Sequence, residues 1–171
     1  AGGHARVCVE ALAGEPGWEL VGAVSGDGRS AEAFQLKVLG LDGDLTEVAT
    51  TASATCVFVA IGDNAARSAL MSRCDSAGLR SVTAVSPRAI VSPLAALGCG
   101  TAVLPGGVVN AGAAVGRGVI VNSNATVDHD CLIGDFVHVS PGATVCGGVK
   151  IGTGTFIGAG ATILPNVTVG A

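Results

Sequence analysis

The second half of the chain carries an apolar residue at every sixth position, without a break in phase. A small or slim residue stands two positions before each of them. Because alternate residues of a strand point to the same side, both members of each pair are expected to face inward. The period therefore predicts short strands separated by regular turns. The fourteen positions are Val91, Leu97, Val103, Val109, Val115, Val121, Val127, Ile133, Val139, Val145, Ile151, Ile157, Ile163 and Val169.

A second period, three hexapeptides long, lies on top of the first. It is marked by Gly98, Gly116, Gly134, Gly152 and Gly170. One coil then contains three hexapeptides, which predicts a parallel β-helix with three faces. Corners need a tight backbone or positive φ, which favours Gly, Asn and Asp, as at Asn110, Asn122 and Asp128. The alternative interpretation, a β-sandwich, does not explain a glycine at every third hexapeptide.

The first half alternates strand and helix patterns instead. This alternation is typical of a small parallel α/β sheet of Rossmann-like type. We expect an α/β domain over residues 1–84 and the β-helix over residues 85–171. The predicted elements are a helix over His4–Ala13, a strand over Glu19–Val24, a helical turn over Leu45–Ala49, a strand over Cys56–Ile61, a helix over Ala65–Ala77 and a strand over Arg80–Val85.

Three strand ends are expected at one edge of this sheet, where parallel sheets bind ligands. They are the turns Gly2-Gly3-His4, Ser25-Gly26 and Gly62. Backbone N–H groups at such a turn can hold a phosphate, although a plain tight turn has the same sequence. The strand that should precede Gly2 is missing and the chain stops within a repeat, so we expect both ends to be trimmed.

Composition narrows the classes of function. The net charge is −4 and basic residues are scattered, which argues against nucleic-acid binding. Every apolar run is interrupted before it reaches the length of a membrane span. Six cysteines without a CxxC pair indicate reduced, buried thiols in a cytoplasmic protein.

Titratable side chains are scarce in the repeats, and two histidines stand out. His129 lies between Asp128 and Asp130, and carboxylate neighbours raise the basicity of an imidazole and orient it. His138 comes one position before an inward residue and is expected to point outward. A solvated surface histidine without a role is the alternative interpretation of each.

Four segments together resemble one family. They are AGGHARVCVEAL, VAIGDNAAR, NSNATVDHDCLIGDFVHVSPGA and GGVKIGTGTFIGAGATILPN, which span most of the chain. They are similar to the sialic-acid O-acetyltransferases and bacillosamine-pathway UDP-4-amino-sugar N-acetyltransferases of the hexapeptide-repeat superfamily. The resemblance implies a left-handed β-helix, against the usual crossover rule, and acetyl-CoA as co-substrate without a metal.

The resemblance also implies roles for individual residues. His129 matches the general base and Asp130 the acidic residue that supports it, while His138 and Ala159 match acetyl-CoA contacts. The Ser25-Gly26 match is loose, because relatives often carry acidic residues there. The positions that match the nucleotide-sugar site are Gly2, Gly3, His4, Ser25, Gly26 and Gly62.

We therefore expect acetyl transfer from acetyl-CoA to the amine of a nucleotide-linked sugar. The alternatives are O-acetylation of sialic acid or another sugar hydroxyl, and a non-catalytic β-helix scaffold. A zinc carbonic anhydrase would need three histidines on the metal, and the repeats hold two. His129 and His138 are half a coil apart and face different directions, so we expect a homotrimer whose sites are shared between subunits.

Overall fold

A computed structural model describes residues 3–13, 19–26 and 36–170. The first part of the chain contains short strands alternating with helices. In order, these are helix α1 (Gly3–Ala13), strands β1 (Ala23–Ser25) and β2 (Val38–Leu41), a 3₁₀ turn (Asp42–Asp44), helix α2 (Leu45–Thr51), strand β3 (Cys56–Val57), helix α3 (Asn64–Ser76) and strand β4 (Arg80–Ser81).

The remaining strands are two residues long and begin at every sixth position. They are β5 (Ala84–Val85), β6 (Ile90–Val91), β7 (Ala96–Leu97), β8 (Ala102–Val103), β9 (Val108–Val109), β10 (Ala114–Val115), β11 (Ile120–Val121), β12 (Thr126–Val127), β13 (Leu132–Ile133), β14 (His138–Val139), β15 (Thr144–Val145), β16 (Lys150–Ile151), β17 (Phe156–Ile157), β18 (Thr162–Ile163) and β19 (Thr168–Val169).

These strands form three five-stranded parallel sheets, and each strand pairs with the strands three before and three after it. Val121 thus pairs with Val103 and Val139, which hold the same position in the preceding and following coils. The predicted left-handed parallel β-helix is confirmed. Ten of the fourteen repeat aliphatics are buried, and Val91, Leu97, Ile163 and Val169 are half-buried because they lie in the end coils.

Among the glycines that recur once per coil, Gly98, Gly116 and Gly134 are required by coil stacking rather than by positive φ. A Cβ on Gly98 would come 2.5 Å from the backbone of the next coil, and one on Gly134 would come 2.6 Å from it. Asn110, Asn122 and Asp128, for which the sequence predicts a tight backbone or positive φ, do not have positive φ. The left-handed residues lie two positions later, as at Asn124, Asp130, Phe136 and Asn166, and glycine fills most equivalent positions.

The predicted helices and strands of the first part are present with different bounds. The strand predicted over Arg80–Val85 is two strands: β4 pairs with β3, and β5 pairs with β8 as the first rung of a β-helix sheet. The strand predicted over Glu19–Val24 is confined to β1, which pairs with β2, an element absent from the prediction. Within the described residues, β1–β2 and β3–β4 are separate parallel pairs rather than one sheet.

Helix α1 covers one face of the β-helix. Its buried side, with Cys8 and Leu12, packs on outward-facing Ala102 and Ile120. On a second face the outward residues of β10, β13 and β16 are exposed. The first part of the chain therefore lies against one sheet, and this decides the surroundings of His138 on β14.

The cysteines are all free thiols. Cys8, Cys74 and Cys131 are buried, as expected of small apolar side chains. The expectation that every cysteine is buried is wrong, because Cys99 is exposed and Cys56 and Cys146 are half-buried.

Candidate active site

His129 occupies a corner between β12 and β13, with its side chain 62% exposed. Its Nδ1 lies 2.9 Å from a carboxylate oxygen of Asp130. Because a carboxylate only accepts, Nδ1 carries the hydrogen, and Nε2 is left with the lone pair in the neutral ring. The hydrogen bond to Asp130 is the main cause of a raised pKa at His129, and the charge of Asp128 adds to it.

Backbone conformation places the Asp130 carboxylate beside the imidazole. Asp130 has φ of +59°, a left-handed conformation that aspartate tolerates better than most residues. Its N–H donates to the Ala111 carbonyl of the preceding coil at 3.1 Å. The tight corner therefore fixes Asp130, which in turn orients His129.

Asp128 fixes the same corner from its other side. Its carboxylate accepts from the Asn110 amide at 2.7 Å and from the His129 backbone N–H at 2.8 Å. These bonds, the Asn110 bond foremost, lower the pKa of Asp128. Asp128 therefore stays ionised near neutral pH and adds negative charge beside the imidazole.

Gly147 leaves room for the His129 ring. It lies one coil after His129, and a Cβ there would come 2.5 Å from Cε1 and 3.0 Å from Cδ2 of the imidazole. Any side chain at position 147 would thus displace the ring. Among the described residues the Gly147 N–H has no acceptor, so it remains available to donate a hydrogen bond.

His138 lies in a different environment, beneath the first part of the chain. It is 8% exposed, so the interpretation as a solvated surface histidine is wrong for this residue. Its Nδ1 lies 3.1 Å from the Gly62 carbonyl, to which it donates. Its Nε2 therefore accepts from the Asn122 amide at 3.0 Å. Burial is the main cause of the lowered pKa of His138, and Arg67 contributes to it.

His4 lies close to this buried imidazole. The two rings are 6.2 Å apart. Burial, with smaller contributions from the charges of His138 and Arg67, lowers the pKa of His4 to about 4. The structure therefore brings His4, Gly62 and His138 together with two neutral imidazoles.

The other predicted site residues are dispersed. Gly3 begins α1 just before His4. Ser25 is buried at the end of β1, and a Cβ on Gly26 would lie 3.6 Å from the Asp42 carboxylate. Ala159 is exposed on a β-helix corner, and Gly2 lies outside the described residues.

Arg67 on α3 is the main site residue that sequence reasoning missed. It is 1% exposed and donates to the carbonyls of Gly62, Gly118 and Phe136. It appears in the VAIGDNAAR segment, but four of its five acceptors are backbone carbonyls, which leave no pattern in a sequence. The stripe of residues 64, 67 and 71 on one helix face is the signal that could have shown it.

The three histidines should titrate in a defined order. We expect the pKa of His129 to be the highest, above the ordinary 6.5, that of His138 to lie below 6.5, and that of His4 to be the lowest, at about 4. NMR detection of the Cε1 protons across pH measures all three. His129 should hold its proton to a higher pH than the others and release it as the pH rises.

The variant Asp130→Asn tests the cause of the raised pKa of His129. This variant should lower the pKa of His129 and leave the pKa values of His4 and His138 unchanged. The hydrogen bond to the Asp130 carboxylate is the main cause of the raised pKa of His129. Asp75→Asn, on α3, is the matched carboxylate control. An unaltered His129 titration in Asp130→Asn would contradict the assignment.

Comparisons with known proteins show the family to which the chain belongs. Residues 130–165 match the model of the bacterial transferase hexapeptide repeats, and residues 1–74 match the PglD N-terminal domain. A histidine-to-asparagine variant of perosamine N-acetyltransferase from Caulobacter crescentus, in complex with CoA and GDP-perosamine, is 31% identical. That match has a TM-score of 0.82 and covers 98% of this chain and 87% of the other. The chain belongs to the bacillosamine and perosamine N-acetyltransferase family.

A second member of this family gives a similar match. The acetyltransferase domain of PglB from Neisseria gonorrhoeae, in complex with acetyl coenzyme A, is 30% identical with a TM-score of 0.71, covering 99% of this chain and 92% of that chain. WeeI from Acinetobacter baumannii is 19% identical with a TM-score of 0.62, covers 90% of this chain and 83% of its own, and supports the fold alone. A search of curated protein sequences returned no significant match.

Across residues 3–13, 19–26 and 36–170, no three His, Cys, Asp or Glu side chains are grouped so that they could hold a metal ion. No helix in the same part of the chain is long and apolar enough to cross a membrane.

Proposed function

We propose that this hexapeptide acyltransferase moves an acetyl group from acetyl-CoA to the amine of a nucleotide-linked amino sugar, with His129 as general base. One observation carries the proposal. An exposed imidazole is held by a carboxylate through Nδ1, on a chain 31% identical over nearly its full length to an enzyme crystallised with CoA and GDP-perosamine.

The reaction is a direct transfer. The sugar amine attacks the thioester carbonyl carbon, and a C–N bond forms as Nε2 of His129 accepts the amine proton. The C–S bond then breaks, and the protonated imidazole returns the proton to the leaving thiolate. A base in this position supplies roughly 10²–10⁴ in rate. Asp130 stabilises the imidazolium between these two proton transfers.

Hydrogen-bond donors near the base would stabilise the transition state. Negative charge develops on the thioester oxygen during attack, and a fixed N–H there contributes substantially to catalysis. Gly147 lies next to the imidazole and its N–H is available. We assign acetyl-CoA to the β-helix surface leading to this corner, with Ala159 and His138 as its contacts. Because His138 is buried, its part is to shape that surface.

The first part of the chain supplies the acceptor site in this proposal. Gly3 and His4 at the start of α1 hold the nucleotide phosphates and sugar together with Gly2 and Gly62, and Ser25 and Gly26 are further acceptor contacts. Backbone N–H groups at the beginning of a helix favour phosphate. Neutral His4 adds a hydrogen-bonding group without charge, and His138 holds the Gly62 carbonyl. Residues 1–84 thus bind the acceptor and residues 85–171 the coenzyme.

We also propose a homotrimer acting in the cytoplasm, where acetyl-CoA and nucleotide sugars are available. His129 lies at the corner between β12 and β13, whereas His138 lies on β14 beneath α1 and the Gly62 turn. Exposed Leu132 and Ile90 lie on the two faces that α1 leaves uncovered. A neighbouring subunit would cover such a face and bring its acceptor site to His129.

The test is a screen of acceptors with acetyl-CoA, followed by mass spectrometry. UDP- and GDP-linked 4-amino sugars, free sialic acids and serine are each incubated with the enzyme. We expect a nucleotide-linked amino sugar to gain one acetyl group as an amide, resistant to mild base. Acetylation of sialic acid alone, as a base-labile ester, would favour the O-acetyltransferase alternative. Failure to bind coenzyme A would favour the scaffold alternative.

A further inference from the structure

Arg67 is a buried arginine whose hydrogen-bond donors are all engaged within the chain. Its guanidinium group donates at distances between 2.6 and 3.1 Å, and none of its acceptors is a carboxylate. Burial lowers the pKa of Arg67 to about 10, so it remains charged at neutral pH. The acceptors are the carbonyls of Ile61, Gly62, Gly118 and Phe136 and the side-chain oxygen of Asn64.

These acceptors belong to two separate parts of the fold. Ile61 and Gly62 form the turn before α3. Gly118 and Phe136 occupy the same left-handed corner of two consecutive coils. The Arg67 side chain therefore links the turn of Ile61 and Gly62, the acceptor-binding turn, to the backbone of the β-helix.

Residues on either side of Arg67 extend this contact along the corner. The Asn64 amide donates to Gly154 at 2.8 Å and to Thr155 at 3.2 Å, one coil beyond Phe136. Met71 approaches Gly100, one coil before Gly118. Gly100, Gly118, Phe136 and Gly154 hold the same corner of four consecutive coils, which lie about 5 Å apart. One face of α3 therefore contacts that corner over four coils.

The Gly62 carbonyl is held from two directions. Arg67 donates to it at 3.1 Å and His138 Nδ1 donates to it at 3.1 Å. Because the peptide bond is planar and trans, fixing this carbonyl toward the β-helix directs the following N–H of Asp63 away from it. The orientation of the Gly62 turn is thus set by Arg67 and His138, which the acceptor substrate does not need to contact.

The geometry points to Arg67 as a positioning residue that sets the acceptor-binding turn relative to the coenzyme-binding β-helix. This inference rests on the proposed function, in which the acceptor lies at Gly62 and acetyl-CoA lies on the β-helix. A misplacement of about 1 Å between reacting groups can cost on the order of a hundredfold in rate. Loss of Arg67 should therefore harm acceptor use and transfer more than coenzyme binding.

The primary variant is Arg67→Lys, which keeps the charge but offers three donors in place of the guanidinium fork. We expect the KM for the acceptor to rise at least about tenfold and kcat to fall on the order of tenfold to a hundredfold. The Kd for coenzyme A, measured by calorimetry, should change by less than about twofold, since no coenzyme contact is removed. Arg73→Lys on the same helix, with a half-exposed side chain, is the matched control.

A second readout does not depend on activity. Hydrogen exchange followed by mass spectrometry should show faster exchange in residues 56–82 of Arg67→Lys and unchanged exchange in residues 108–150. Asn64→Ser replaces the amide that donates to Gly154 with a shorter hydroxyl. It should change the acceptor kinetics and the hydrogen exchange in the same direction as Arg67→Lys, by a smaller amount. This variant keeps the inference testable if Arg67→Lys does not fold.

The outcomes separate the inference from the proposed function. Wild-type acceptor kinetics and exchange in Arg67→Lys, or equal losses of acceptor and coenzyme affinity, would overturn the positioning role. If the unaltered enzyme acetylates no nucleotide-linked amino sugar, the proposed function fails instead. Hydrogen exchange then decides by itself whether Arg67 fixes the turn on the β-helix.

Discussion

Replacement of His129 by alanine is expected to lower kcat by at least about a hundredfold, the lower end for a lost general base. Without the imidazole, the amine must lose its proton to water while it attacks the thioester. The residual rate would come from alignment of the two substrates. Steady-state kinetics with acetyl-CoA and the acceptor identified by the screen measure the effect, and the KM for acetyl-CoA should change little.

The fold is expected to survive this change. The residue one coil before His129, at the same corner, is Ala111, so alanine is already accommodated in this backbone geometry. The His129 side chain is mostly exposed and packs on Gly147 without filling a core position. Thermal unfolding of His129→Ala should therefore match that of the wild type.

Asp130→Asn gives a graded comparison. Asparagine tolerates positive φ, so the corner is preserved while the carboxylate charge is removed. Its loss of kcat should be smaller than that of His129→Ala, because the base remains and only its basicity changes. Full activity in His129→Ala, with an intact fold, would show that the acceptor is activated by another group.

The β-helix could be predicted closely because its repeating structure produces a repeating pattern of apolar residues in the sequence. Each hexapeptide buries the same inward positions, so apolar residues recur at every sixth position and a single misplaced residue would break the period. The α/β part has no such repetition. Its strands are two to four residues long, and a single apolar run such as 56–61 does not show how much of it pairs with a neighbour.

The candidate site could be predicted only where side chains carry the chemistry. His129 stood out because the repeats contain few titratable groups, and adjacent Asp130 indicated its hydrogen bond. Gly147, one full coil beyond His129, could have been found by asking what stacks on that corner. The burial of His138 could not, because it depends on how α1 and the Gly62 turn lie over β14.

A shared active site should restore activity when two inactive variants are combined in one trimer. His129→Ala removes the base, and His138→Ala removes the group that holds the Gly62 carbonyl beside the acceptor. Each variant alone is expected to be nearly inactive. If one cleft is formed by His129 of one subunit and the acceptor side of its neighbour, a trimer containing both kinds of chain can still hold an intact cleft.

The expected recovery follows from the geometry of a ring. In a cyclic trimer each subunit faces its neighbour in one direction. Whether a mixed trimer contains two chains of one variant or of the other, one of its clefts joins an intact His129 to an intact His138. Mixed trimers should therefore show about one third of wild-type activity, independent of their composition.

The experiment uses co-expression of the two chains with different affinity tags, and two successive purifications isolate mixed assemblies. Native mass spectrometry verifies their composition, and each variant purified alone sets the background. A cleft built within one subunit predicts a different result, because no single chain then carries both histidines. Mixed trimers with no more activity than that background would place His129 and the Gly62 turn in the same subunit's site, whereas recovery near one third requires that they come from neighbouring chains.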